Sequence, residues 1–184
     1  MIKSLDRISY LTNSLEQTEK TFSAFFNSKP SKKIVSKDRN YESFLYIFEN
    51  INFEIIKKSE DSLKEDKLSG FSMLSDDLTS LNISTSYDKY ENNEESNEKV
   101  QLVKSISINQ SPDFQLSVNE YEYPNESPTI ENNLFALDHL VLTTNKSDEL
   151  INLYEKELGI RLALDQFVEI WGGRMLFFLI GHAP

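Results

Sequence analysis

The chain has 184 residues, 39% of them hydrophobic, and a formal net charge of −11 at pH 7. That length allows one or two domains with a packed core, and so acidic a chain repels phosphate backbones, which argues against a nucleic-acid partner. It has no cysteine, which excludes disulfides, thiolate zinc sites and a cysteine nucleophile and fits a cytoplasmic location. No stretch approaches the roughly 18 apolar residues of a membrane helix, and Met1 to Arg7 lacks the apolar run of a secretory leader.

In chain order, residues 2–11 read as a strand. Asn13 or Ser14 is placed to cap a helix whose Leu15, Thr18, Phe22, Phe25 and Phe26 fall on one face, and Pro30 follows its end. Residues 33–36 supply a short strand. Residues 44–48 and 52–56 are two more, joined by a tight turn at Glu49-Asn50. Phe44, Tyr46 and Phe48, with Tyr41, read as core or cup lining. A strand opening near Leu68 begins a weaker copy of this pattern, with a helix expected through Ile83, Thr85 and Tyr87, then strands over 100–108 and 114–121. Residues 92–98 are an acidic, solvated loop. Tyr123 to Pro128 carries two prolines and no apolar periodicity, which marks a linker over 123–134. Residues 136–144 then read as a strand. Ser147 or Asn145 would cap a helix with Leu150, Ile151, Tyr154 and Leu158 on one face, and Gly159 stands where a C-cap glycine belongs. Strands over 160–164 and 175–180 flank a turn at 170–174. His182 reads as an exposed loop residue, and Trp171 and Arg174 as packing and surface residues.

The start of the chain recurs near its end. Leu5-Asp6-Arg7 and Thr12-Asn13 align with Leu137-Asp138-His139 and Thr144-Asn145 at an offset of 132, which also brings Phe48 onto Ile180. Such a repeat decides the architecture before any single residue does.

Leu137-Asp138-His139-Leu140-Val141-Leu142-Thr143-Thr144-Asn145 resembles the opening strand of the glyoxalase, bleomycin-resistance and extradiol-dioxygenase superfamily, the vicinal oxygen chelate proteins. Leu153-Tyr154 to Leu158-Gly159 is similar to that family's helix exit, and Trp171-Gly172-Gly173-Arg174-Met175-Leu176-Phe177-Phe178 to its third-strand entry. The resemblance covers 135–184 well and 4–121 weakly. It implies an α+β fold of repeated βαβββ modules forming open cupped mixed sheets, with the last module incomplete. Residues 1–122 would be a paired-module domain (modules about 1–60 and 67–122) with a degenerate metal site, and 135–184 the start of a second domain. In this family a divalent metal, zinc, nickel, manganese or ferrous iron, sits in the cup on a first-strand histidine or glutamine and a last-strand glutamate, open to two substrate oxygens.

Carried over position by position, that ligand set makes His139 a metal candidate whose partner aligns with position 186, beyond residue 184. Glu54 is a weaker candidate, because the first-strand residue paired with it is Arg7, a cation. In the middle copy the first-strand position is Phe71, which cannot coordinate, and the last strand offers Gln115 or Glu120. From its residues alone His139 reads as a structural or half-buried histidine. By strand alternation Glu54 lies opposite Phe53 and Ile55; from its residues alone it reads as an exposed strand-edge glutamate, and the resemblance implies that it faces the cup, where Arg7 can pair with it. Three functions stay open: a metal-dependent lyase, isomerase or dioxygenase in the complete protein, the 184 residues themselves being inactive; a metal-free module that sequesters a small molecule; and a degenerate first domain that only packs against the second. The incomplete last module also leaves a sheet edge through which a homodimer is expected.

Overall fold

The computed structural model describes residues 1–36, 41–58, 63–83, 87–91, 102–111, 114–121 and 136–181. The expected acidic loop at 92–98, the linker at 123–134 and His182 lie outside the described residues.

The first unit runs β1 (Ile2–Leu11), α1 (Leu15–Phe26), β2 (Lys32–Ser36), β3 (Tyr41–Ile47) and β4 (Asn52–Lys58). The second runs β5 (Lys67–Ser75), a 3-10 turn (Leu78–Ser80), β6 (Tyr87–Glu91), β7 (Leu102–Ser111) and β8 (Phe114–Tyr121). Together they make one mixed eight-stranded sheet, ordered β2-β3-β4-β1-β5-β8-β7-β6. β1 and β4 pair in parallel, β5 and β8 likewise, and the units join where β1 and β5 run antiparallel. Each unit therefore wraps its last strand back beside its first, and the two first strands meet at the centre.

Aromatic packing fixes α1 on the first unit. Phe22 and Phe26 lie 4.8 and 5.5 Å from the Phe53 ring, and Phe26 also meets Tyr46 and Phe48 edge-on. Such contacts add about 0.5–1.5 kcal/mol beyond the area they bury. Phe25, expected on the same face, is 71% exposed, because it falls on the rim of the apolar stripe in the last turn. The expected side-chain caps also differ. Thr12 Oγ1, not Ser14 or Asn13, accepts the Ser14 N–H at 3.0 Å, while both ends of the Asn13 amide are bonded to the Leu63 backbone. In the second unit neither Ile83 nor Tyr87 is helical as expected, and Thr85 lies outside the described residues. A single 3-10 turn capped by Asp77 precedes them, and Tyr87 opens β6. The run Asn82-Ile83-Ser84-Thr85-Ser86 holds only β-branched and small polar residues, all poor helix formers.

The repeat is visible in the elements themselves. The offset of 132 carries α1 onto 147–158, where α2 (Ser147–Ile151) continues into a π turn (Asn152–Glu157), and carries β3 onto β10 (Gly173–Leu179). Five cross-strand pairs of β2 and β3, from Lys32–Leu45 to Ser36–Tyr41, recur as Leu164–Phe177 to Val168–Gly173 between β9 (Arg161–Val168) and β10. Thr144 Oγ1 accepts the Lys146 N–H at 3.0 Å as Thr12 does that of Ser14, so neither Ser147 nor Asn145 caps. Asn27 and Gly159, again 132 apart, both end their helices at positive φ, 48° and 67°.

Two features of the third copy depart from the first. The π turn, closed by Leu158 N–H to Leu153 O at 2.9 Å, adds a residue to the helical turn and rotates the side chains beyond it. Leu153 and Glu157 are thereby buried with Tyr154 and Leu158, whereas their counterparts Thr21 and Phe25 are exposed and Leu150 and Ile151 stay only half-buried. Residues 136–144, expected as a strand, form none. A strand exists only against a ladder partner. β1 has β4 and β5, and nothing within 136–181 plays either part. Its Leu137 backbone is satisfied instead by the Asn50 amide, at 2.8 and 2.9 Å. Leu153, Tyr154, Leu158 and Ile160 join the same apolar core as the eight-stranded sheet.

Candidate functional site

The face of the sheet away from α1 collects polar side chains where β1, β4, β5 and β8 lie side by side. On β4, Phe53 and Ile55 turn toward the core, so alternation sends Glu54 to the opposite face, where it is 3% exposed. Arg7 Nη1 donates to Glu54 Oε2 at 2.6 Å and Ser43 Oγ donates to Oε1 at 2.6 Å. Burial opposes the charge on Arg7, but Glu54, with Tyr121 and Asp6 beyond it, outweighs that cost and holds the guanidinium above its usual range, firmly charged. Both oxygens of Glu54 are thus committed, one to a cation and one to a hydroxyl.

The second unit supplies the other half. β1 is irregular between Leu5 and Arg7, and this bulge turns Asp6 toward β8. Its Oδ2 accepts from Ser72 Oγ at 2.9 Å, Asn119 Nδ2 at 2.7 Å and Tyr121 Oη at 2.9 Å, and Ser105 Oγ closes the chain onto Asn119 Oδ1 at 2.8 Å. The Tyr121 phenol is pushed well above its usual range, first by burial and then by the negative charge of Asp6. The residues expected at the second unit's ligand positions are elsewhere. Phe71 is 5% exposed in the apolar core, Gln115 is exposed, and Glu120 accepts the Leu78 N–H at 2.8 Å. The side chains that do face the centre are Ser72 and Asn119. Alternation in Leu116-Ser117-Val118-Asn119-Glu120-Tyr121 marks Asn119 and Tyr121 as sharing a face away from Leu116 and Val118, a pattern the sequence already contained. The bulge at Asp6 left no such trace.

In the third copy His139 stands where Arg7 does and Asp138 where Asp6 does. His139 is neither structural nor half-buried: its side chain is 66% exposed, and Nδ1 lies 2.8 Å from Asp138 Oδ2. The sequence places both residues on one strand, but the observed backbone there forms no strand, and the two side chains bond to each other. Arg174 pins the β9–β10 hairpin to its helix through Asp165 and Asp148, and Trp171 is 72% exposed at the hairpin tip. Among the described residues no three histidine or acidic side chains are grouped as a metal site, and no helix is long and apolar enough to cross a membrane.

No protein-family model and no curated protein sequence matches the chain. Solved structures do. Methylmalonyl-CoA epimerase from Mycobacterium tuberculosis is similar at 11% identity over 65% of this chain and 88% of its own, with a TM-score of 0.50. The Streptomyces coelicolor methylmalonyl-CoA epimerase in complex with 2-nitronate-propionyl-CoA is similar at 8% identity, 65% and 98% coverage and a TM-score of 0.47. A mutant 4-hydroxymandelate synthase from Streptomyces coelicolor gives 9% identity, 66% and 48% coverage and 0.43. At such identities a likeness speaks to the fold alone. The chain has a vicinal-oxygen-chelate fold, an α+β architecture built on an open mixed sheet of repeated units.

Proposed function

We propose that residues 1–121 act as a metal-independent unit of this fold that binds a small molecule, and not as a metalloenzyme. The observation that carries the reading is the Arg7–Glu54 pair. A divalent ion needs lone pairs, and at the first-strand position a guanidinium offers none. Glu54 beside it is already neutralised by that guanidinium, and Asp6 Oδ2 is committed to Ser72, Asn119 and Tyr121. To ligate there, a metal would have to displace a buried ion pair and strip Ser43 of its acceptor. These residues do not fit the metal that the resemblance implies.

A second reading belongs to the third copy and rests on a different observation. The His139 Nδ1 is turned to Asp138 and the side chain is 66% exposed, the arrangement in which a carboxylate orients a metal-binding imidazole. In this reading residues 135–184 open a second, metal-dependent domain, an isomerase, lyase or dioxygenase on vicinal oxygens.

Both are tested by metal titration with zinc, nickel, manganese and ferrous iron, followed by dialysis and elemental analysis. We expect any retained ion to be lost in His139→Ala and untouched in Glu54→Gln. Stoichiometric metal that disappears in Glu54→Gln sinks the first reading. Ligand-induced thermal shifts that persist in EDTA support it.

A further inference from the structure

Away from the cup, the start of β1 and the β9–β10 hairpin enclose a cleft of about 250 Å³. Its walls are apolar where Ile2, Ile160, Leu179 and Ile180 line it, and Lys3 and Arg161 line it as cations. One wall is fixed by close backbone contact: a Cβ on Gly181 would stand 2.4 Å from the Lys3 carbonyl oxygen, and Gly181 holds φ +80°, a combination that only glycine meets without strain.

The charges are unequal in availability. Lys3 Nζ is paired with Asp76 at 2.7 Å. The Met1 ammonium reaches Ser75 Oγ and Ser80 Oγ at 3.4 and 3.3 Å, with Asp77 close enough to feel its charge. Arg161, among the described residues, has no carboxylate partner. In a chain of net charge −11, an unpaired guanidinium at the mouth of an apolar cleft is a specific invitation to an anion, since its planar fork matches a carboxylate. The volume is below the roughly 300 Å³ at which pockets for drug-sized molecules begin, so the occupant is short.

We infer that this cleft is a second binding site, separate from the cup, for a small monocarboxylate with an aliphatic body, the carboxylate on Arg161 and the body against Ile2, Ile160 and Leu179. The hexanoate ion is a suitable probe. Isothermal titration of the full chain with hexanoate is expected to saturate at one site, to weaken as salt rises, and to give no heat of binding with hexylamine. Arg161→Gln should lose about tenfold or more, the size of one charge-assisted hydrogen bond. Leu179→Glu, which sets an acid in the wall at a partly exposed position, should do the same by repulsion. Glu54→Gln, in the cup, should leave hexanoate affinity unchanged. Absence of saturable hexanoate binding, equal binding of hexylamine, or full affinity in Arg161→Gln each overturns the site. Loss of hexanoate in Glu54→Gln would place the ligand in the cup instead and overturn the assignment too.

Discussion

Removing Arg7 while leaving Glu54 in place strips a buried carboxylate of its cation. Arg7→Met keeps much of the side-chain stem and deletes only the charge and its donors. Breaking a buried pair by removing one partner costs about 3–5 kcal/mol. Glu54 is almost fully enclosed, but the Arg7 side chain is 26% exposed, so water can reach the vacated space and the lower end, about 3 kcal/mol, is expected. The double variant Arg7→Met/Glu54→Leu removes both charges. It should recover to within about 2 kcal/mol of the parent, the remainder being the Ser43 hydroxyl left without an acceptor. Urea unfolding of the four members of this cycle measures the coupling, provided the slope with denaturant stays constant. A loss below about 1 kcal/mol in Arg7→Met would mean a solvent-screened surface pair, and Arg7 would then not stand in for a metal in the cup.

Gly70→Ala should destabilise by about 3 kcal/mol or more, because its Cβ would lie 2.0 Å from the Gln115 carbonyl oxygen, which β8 cannot move without breaking the β5–β8 ladder; loss of β content by circular dichroism checks it, and an unchanged melting temperature refutes it. Burial and the charge of Asp6 raise the Tyr121 phenol above its ordinary range, and burial raises Tyr154. Their contribution to stability is therefore fully present below the unfolded value of about 10 and is lost as pH rises beyond it toward the folded values; an alkaline absorbance titration should show Tyr121 and Tyr154 among the late-ionising tyrosines, with Tyr10 and Tyr46 also raised by burial, and Tyr121→Phe should remove one of them. Burial alone would raise Asp66, yet donors from Thr12, the Asn13 N–H and Thr18 hold it below the usual carboxylate range. Asp66 is exposed, so after solvent screening Asp66→Ala should cost no more than about 1 kcal/mol at pH 7, a difference that fades as pH falls through the folded value of Asp66, as acid unfolding would reveal. The Tyr154 hydroxyl is buried and unbonded, so Tyr154→Phe is expected to be neutral or to stabilise by about 1 kcal/mol in urea.

Short-range features of this fold were readable from the residues. The offset of 132, read from a handful of matched residues, places a helix and a hairpin in register to the residue. Alternation set Glu54 opposite Phe53 and Ile55, and the family resemblance was needed to turn that side toward the cup. The features that could not be read depended on distant partners. Nothing near Asn13 announces that its amide will hold Leu63, fifty residues on. The apolar run at 136–144 has every local property of a strand and lacks only a neighbour to pair with. Asp6 and Phe71 were placed by counting residues, and one irregular position in β1 is enough to change which side chains face the centre.

The two hairpins that share a register carry opposite wiring. Lys33 reaches Glu42 at 3.6 Å in the first; at the same positions in the other, Asp165 reaches Arg174. A nascent chain that holds two copies of one motif can join the wrong halves, since backbone hydrogen bonding does not distinguish β2 from β9. A crossed hairpin of β2 with β10 would bring Lys33 beside Arg174, and one of β9 with β3 would set Asp165 against Glu42. Each exposed pair is worth only tenths of a kcal/mol, but the sign reversal doubles the difference between kin and stranger. The polarity of two surface contacts thus acts as an address, steering each strand to the partner made with it.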